Sequence, residues 1–251
     1  MATNIEGKMM VSEEDKRWVV VGIALNKVAA PVLRDFIKQG MDTHYTNLDN
    51  YCIGLATPCT LKTLTYHLVS TLTLPSGQCF NHMKFENINN NLQLYGKKKR
   101  DLHKYNYNIN SSADLAKLFL PDYLAEFSDF DESLEMTAIL RLLGFNKPAP
   151  IFPSPNPLLS IQSSADVIKN NVRNKWGHFI VTEWSEFFFN YCFFKLKTLV
   201  RSLGLTHGVE KMTLDQLSSW KTKGNHLTVC MPGNCIILYQ KMLKILHSCV
   251  K

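Results

Sequence analysis

A chain of 251 residues, 45% hydrophobic and 20% charged, is long enough for one large domain with a real core. It contains no run of about 20 apolar residues, so no membrane span is expected. The net charge of +7 suits nucleic acid or anionic lipid, although a lysine excess spread along the chain also serves solubility alone. Seven scattered cysteines argue against a disulfide framework and for reduced thiols, hence a cytoplasmic or nuclear protein. The first residues lack the basic and apolar regions of a secretory signal.

Residues 1–11 read as a loose tail. Ser12 and Asp15 form a capping-box pattern ahead of an apolar stripe at Trp18, Val21, Leu25, Val28, Val32 and Phe36. Pro31 is expected to kink this helix and Gly40 to stop it, with a second helical piece over about 43–55. Leu61, Leu64, Leu68 and Leu72 keep helical spacing, and Pro75-Ser76-Gly77 is a turn signal. Residues 78–110, rich in Asn, Lys and Tyr, read as a long irregular basic insertion.

Ser111 to Asp114 form a second capping box for a short helix closed at Pro121. Asp129 or Asp131 is expected to cap a helix buried through Leu134, Ala138, Ile139, Leu142 and Leu143 and ended by Gly144. Residues 146–160 contain five prolines and predict a stiff linker. A capped start at Ser163 precedes Val172-Arg173-Asn174-Lys175-Trp176-Gly177-His178. Thr182 then offers a cap for an aromatic helix over 183–203, stopped by Gly204. Its phenylalanines ring the helix, which points to burial on all sides or to a homodimer through this helix. Leu214, Leu217 and Trp220 suggest a short further helix, and 225–251 is a basic apolar tail.

Two constellations can carry chemistry. Arg173, Asn174 and His178 combine a phosphate-binding fork, an orienting amide and a proton carrier, the catalytic set for metal-independent RNA cleavage. On a continuous helix, five residues set Arg173 and His178 about 140° apart; Gly177 offers a way to bring them together, by ending the helix left-handed and swinging His178 back. The structural alternative pairs Arg173 with Asp166 or Glu183 and makes His178 an interhelical residue. The second constellation is Lys97, Lys98, Lys99, Arg100 and Lys104, interleaved with His103, Tyr105 and Tyr107. Its cations can meet RNA phosphates while its tyrosines stack on bases, or the whole can be a solvated loop. The Cys and His spacings complete no metal site, and no P-loop, dinucleotide fingerprint or nucleophile elbow is present; neither metal nor cofactor is expected.

Arg173-Asn174 with His178 resembles the R-N-x-x-x-H motif of the HEPN superfamily. Residues 85–91, 114–119, 127–132 and 172–178, with Trp184, are similar to its animal branch, named for DAZ-interacting zinc finger protein 3. The resemblance spans roughly residues 13–224. It implies an all-α, up-and-down helical bundle over 12–224, often dimeric, with the long insertion and a short C-terminal appendage. It also implies either a metal-independent endoribonuclease or RNA-binding module, or a non-catalytic interaction module in innate immune or stress signalling.

Overall fold

A computed structural model describes residues 12–55, 58–72, 83–96, 101–147 and 149–225. The described residues are helical or irregular, with no strand among them. The fold is all-α. No described helix is long and apolar enough to cross a membrane.

Ser12 caps α1 (Glu13–Ile23) through a complete capping box with Asp15. The chain then passes without a break through a π-helical segment, Ala24–Ala29, into α2 (Ala30–Ile53). Pro31 has no N–H, so the α ladder cannot be completed from it to the Lys27 carbonyl. The disturbance sits upstream of the proline, where the Ala30 N–H reaches back to Leu25. Gly40 does not end the helix as expected. It lies inside α2, where an added Cβ would stand 2.6 Å from the Phe152 ring. This glycine is a seat for an aromatic ring, and the two expected helical pieces are one.

Beyond α2 the expected helical run breaks into a single turn at Leu61–Thr63 and α3 (Tyr66–Thr71), because the threonines bond their own backbone. The turn signal at 75–77 lies outside the described residues. The described part of the 78–110 insertion contains helical turns, including α4 (Asn91–Tyr95), between ordered loops. Ser111 caps α5 (Ser112–Lys117) as expected. The helix α6 (Met136–Leu143) follows Glu135, which makes no side-chain cap. Neither expected aspartate caps it, because Asp131 accepts from the Ser133 N–H and hydroxyl in its own turn.

The 146–160 segment is stitched to the body rather than free-standing. Phe152 packs on Gly40 and Phe36, and Pro155 lies against Gly204. The next helix starts one turn earlier than Ser163: Ser160 caps α7 (Ile161–Val167). It continues as a second π segment, Ile168–Arg173, and closes as α8 (Asn174–Gly177). Ser185, not Thr182, caps α9 (Glu186–Ser202), because 181–183 forms a separate turn. Gly204, at φ +66°, ends it as expected. The short helix expected around Trp220 is the 19-residue α10 (His207–Asn225). Lys197 of α9 donates to Ser218 of α10 at 2.8 Å, so the two run antiparallel from their short connection. The 226–251 tail lies outside the described residues.

One apolar core joins these elements. Leu25, Leu33, Ile37, Met41, Leu115, Ile139, Ile168, Val172, Trp184, Phe189 and Phe193 are all essentially solvent-free. The second π segment packs against α6 and α9, which fixes the strand of chain carrying Arg173 between two rigid walls.

Candidate functional site

The motif sits where one hydrogen-bond ladder changes to another. The Asn174 N–H bonds the Lys169 carbonyl five residues back, and the His178 N–H bonds the Asn174 carbonyl four residues back at 3.0 Å. Such π turns inside α-helices recur at functional sites, since the extra residue re-aims the side chains after it. Gly177 keeps a helical backbone and is not left-handed. His178 itself leaves the helix, at φ −114° and ψ 63°.

Tryptophans hold this exit. Trp18 of α1 donates from Nε1 to the Trp176 carbonyl at 2.8 Å and stacks on the Trp176 ring at 5.9 Å. Phe179 lies 5.0 Å from the same Trp18 ring, and Arg17 donates to the Trp184 carbonyl. Gly22 makes the packing possible, because a Cβ there would stand 2.6 Å from Trp176 Nε1. A glycine inside an otherwise apolar helical face is the sequence signal for such a close approach.

The three motif side chains are uncommitted. No hydrogen bond or ion pair involves the Arg173 guanidinium, the Asn174 amide or the His178 ring among the described residues. Both carboxylates expected to compete for Arg173 are taken. Asp166 holds Lys169 at 2.5 Å, and Glu183 faces Lys175 at 3.4 Å. Arg173 Nη1 instead lies over Gly177, 3.6 Å from where a Cβ would stand. The guanidinium therefore rests against the residue that immediately precedes His178. Asn174 and His178 are exposed and Arg173 is half-buried, so His178 is not an interhelical core residue.

Arg173 also borders a cleft of about 40 Å³ with Asn26, Arg34, Thr137 and Trp176. Arg34 is anchored there by donating to the carbonyls of Leu134 and Glu132. Residue types alone gave no reason to select Thr137 or Arg34, which reach the site only through packing of α6 and α2.

The second constellation is divided differently. Lys97, Lys98, Lys99 and Arg100 lie outside the described residues. Lys104 is exposed and pairs with Asp101 at 2.8 Å, which holds that carboxyl below its usual range. Tyr105 and Tyr107 are buried, so they are not platforms for bases. Tyr107 donates to the Leu102 carbonyl, and burial pushes its phenol up to about 12. His103 lies against Tyr66, with ring centres 4.0 Å apart.

Cys52, Cys59 and Cys192 are free, and burial pushes both Cys52 and Cys192 up to about 12. On the aromatic helix, Phe189 and Phe193 are core residues, whereas Phe187 is 82% exposed and Phe194 59%. These two lie seven residues apart on one outward face.

No protein-family model, curated protein or solved structure matches the chain.

Proposed function

We propose that this chain is a HEPN-like helical bundle whose Arg173, Asn174 and His178 cleave RNA without metal. The observation that supports this most is the uncommitted Arg173, left without a carboxylate although Asp166 and Glu183 both lie within its sequence neighbourhood. Its planar fork of donors matches a phosphate group.

The chemistry is a transesterification. His178 takes the proton of a ribose 2′-hydroxyl as that oxygen attacks the adjacent phosphorus. Arg173 donates to the non-bridging oxygens, whose negative charge grows in the crowded intermediate. Asn174 orients the phosphate. The P–O5′ bond breaks, the 5′-oxygen takes up a proton from solvent or the charged imidazole, and a 2′,3′-cyclic phosphate remains. The test is cleavage of labelled RNA in EDTA by the wild type, Arg173→Ala and His178→Ala. Loss in both variants with folding intact supports the reading.

A second reading, a non-catalytic interaction module, is favoured by exposed Phe187 and Phe194. A homodimer across that face would give a concentration-dependent dimer in sedimentation, weakened by Phe187→Ser together with Phe194→Ser. A strict monomer at high concentration would remove the dimer.

A further inference from the structure

The C-terminal end of α2 holds two cysteines against each other. The last carbonyls of a helix have no partner within it. Here the Cys52 carbonyl accepts the Cys59 N–H at 3.2 Å, and the Asp49 carboxylate accepts the Leu61 N–H at 2.7 Å. Asp49 and Cys52 stand three residues apart on one face of α2, so the two bonds lay residues 59–61 along that face. Leu61 is fully buried and locks the return into the core. A backbone bond of 3.2 Å leaves the Cys52 and Cys59 Cα atoms at most about 7 Å apart, the outer limit for a disulfide bridge.

The side chains meet as well. Cys59 Sγ lies 4.0 Å from the Cys52 carbonyl oxygen, and its thiol is close enough to hydrogen-bond the Cys52 thiol. Burial first, and then this neighbour, push the Cys52 thiol up to about 12. The two differ in access, because Cys52 is solvent-free and Cys59 is half-buried. Cys192 is the internal contrast, a buried thiol raised by burial with no second sulfur involved.

We infer that Cys52 and Cys59 form a dithiol pair that a low-molecular-weight disulfide such as oxidised glutathione converts to an intramolecular disulfide. The thiolate of accessible Cys59 attacks one sulfur of the reagent and breaks its S–S bond. A Cys59 mixed disulfide forms, and one glutathione thiolate leaves with the proton that Cys59 gave up. Cys52 then loses its proton and attacks the Cys59 sulfur. The Cys52–Cys59 bond forms, and the second glutathione leaves as a thiolate that takes up the Cys52 proton. Two protein thiols are oxidised and one glutathione disulfide is reduced to two thiols. In reverse, a reductant reaches only the Cys59 sulfur and must expel Cys52, a poor leaving thiolate, so reduction is slow. The bridge clamps the end of α2 to the segment of Leu61, whose carbonyl accepts the Ile109 N–H, and so fastens α2 to the insertion. The pair does not depend on the ribonuclease reading.

The test treats the full chain with graded ratios of oxidised to reduced glutathione, then unfolds it, alkylates the remaining thiols and maps the peptides by mass. The wild type should give an intramolecular Cys52–Cys59 bridge whose yield follows the ratio and reverses with dithiothreitol, while Cys192 is alkylated throughout. Cys52→Ala should stop at a stable glutathione adduct on Cys59, and Cys59→Ser should leave Cys52 a thiol. The oxidised wild type should melt a few degrees above its reduced form, because the bridge restricts the unfolded chain, and neither variant should show that shift. Cys59→Ser, at the half-buried position, guards against a Cys52→Ala protein that folds poorly. A wild-type adduct that stays on Cys59 unresolved, a bridge from either residue to another cysteine, or both residues still thiols at the most oxidising ratio would overturn the pair.

Discussion

The insertion around residues 83–110 and the motif segment around 168–178 are both polar, and the structure treats them in opposite ways. In the described part of the insertion, asparagine amides bond the surrounding backbone. Buried Asn91 donates to the carbonyls of Phe85 and Asn106 and accepts from the Asn106 N–H. Asn87 bonds the carbonyls of Lys117 and Leu120, and Asn89 bonds that of Asn108. Asparagine side chains replace the ladder that an irregular backbone lacks. In the motif segment the backbone satisfies itself through α and π ladders, so Arg173, Asn174 and His178 are left over. Asn87, Asn89 and Asn91 are structural where the backbone is irregular, whereas Asn174 stays available where it is regular.

The comparison breaks first at asparagine. Asn91→Ala should cost about 3 kcal/mol in urea unfolding, since it strands the buried Phe85 carbonyl and loosens two part-buried bonds to the Asn106 backbone. Asn174→Ala, at an exposed and unbonded amide, should fall within about 0.5 kcal/mol of wild type. Equal costs would remove the distinction. Glycine gives the next test. Gly22→Ala forces a Cβ against the Trp176 indole and should cost about 1–3 kcal/mol by overpacking. Gly177→Ala meets only ordinary contact with Arg173 and keeps a helical backbone. Calorimetry on the pair should find it neutral or slightly stabilising.

The smallest effect concerns His44, beside Phe119, whose burial lowers its pKa below the usual 6.5. The unfolded chain then binds the proton more readily than the folded one. The stability held by neutral His44 is complete above 6.5 and falls as pH drops from there through the lowered folded value. The wild type should lose its margin over His44→Gln across that window. A constant difference between the two in denaturation at several pH values would contradict the assignment.

Local signals were legible where their chemistry is local. Ser12, Ser111 and Gly204 terminate helices as their types and spacing predict, because the cap and its partner lie within one turn. Gly40 reads as a stop because its partner, Phe152, is remote in sequence, and a glycine seat and a glycine stop look alike in one dimension. Ser160 and Ser163 are both good caps, and only the packing of Ile161 into the core selects the first. Tyr105 and Tyr107 looked available because lysines surround them, yet their rings close the core with Phe85 and Tyr66. At the site, the motif was legible as residue types. The π turn and the occupied carboxylates depend on three-dimensional neighbours and were not.

The most direct measurement is cleavage of a labelled RNA in EDTA by wild type, Arg173→Ala, His178→Ala and Asn91→Ala, each first shown to be folded under the assay conditions. Arg173→Ala and His178→Ala should lose at least about a hundredfold in rate at near-wild-type stability. Folded Asn91→Ala should lose stability but cleave normally. Wild-type protein that leaves RNA intact, or cleavage unchanged by Arg173→Ala and His178→Ala, would contradict the account.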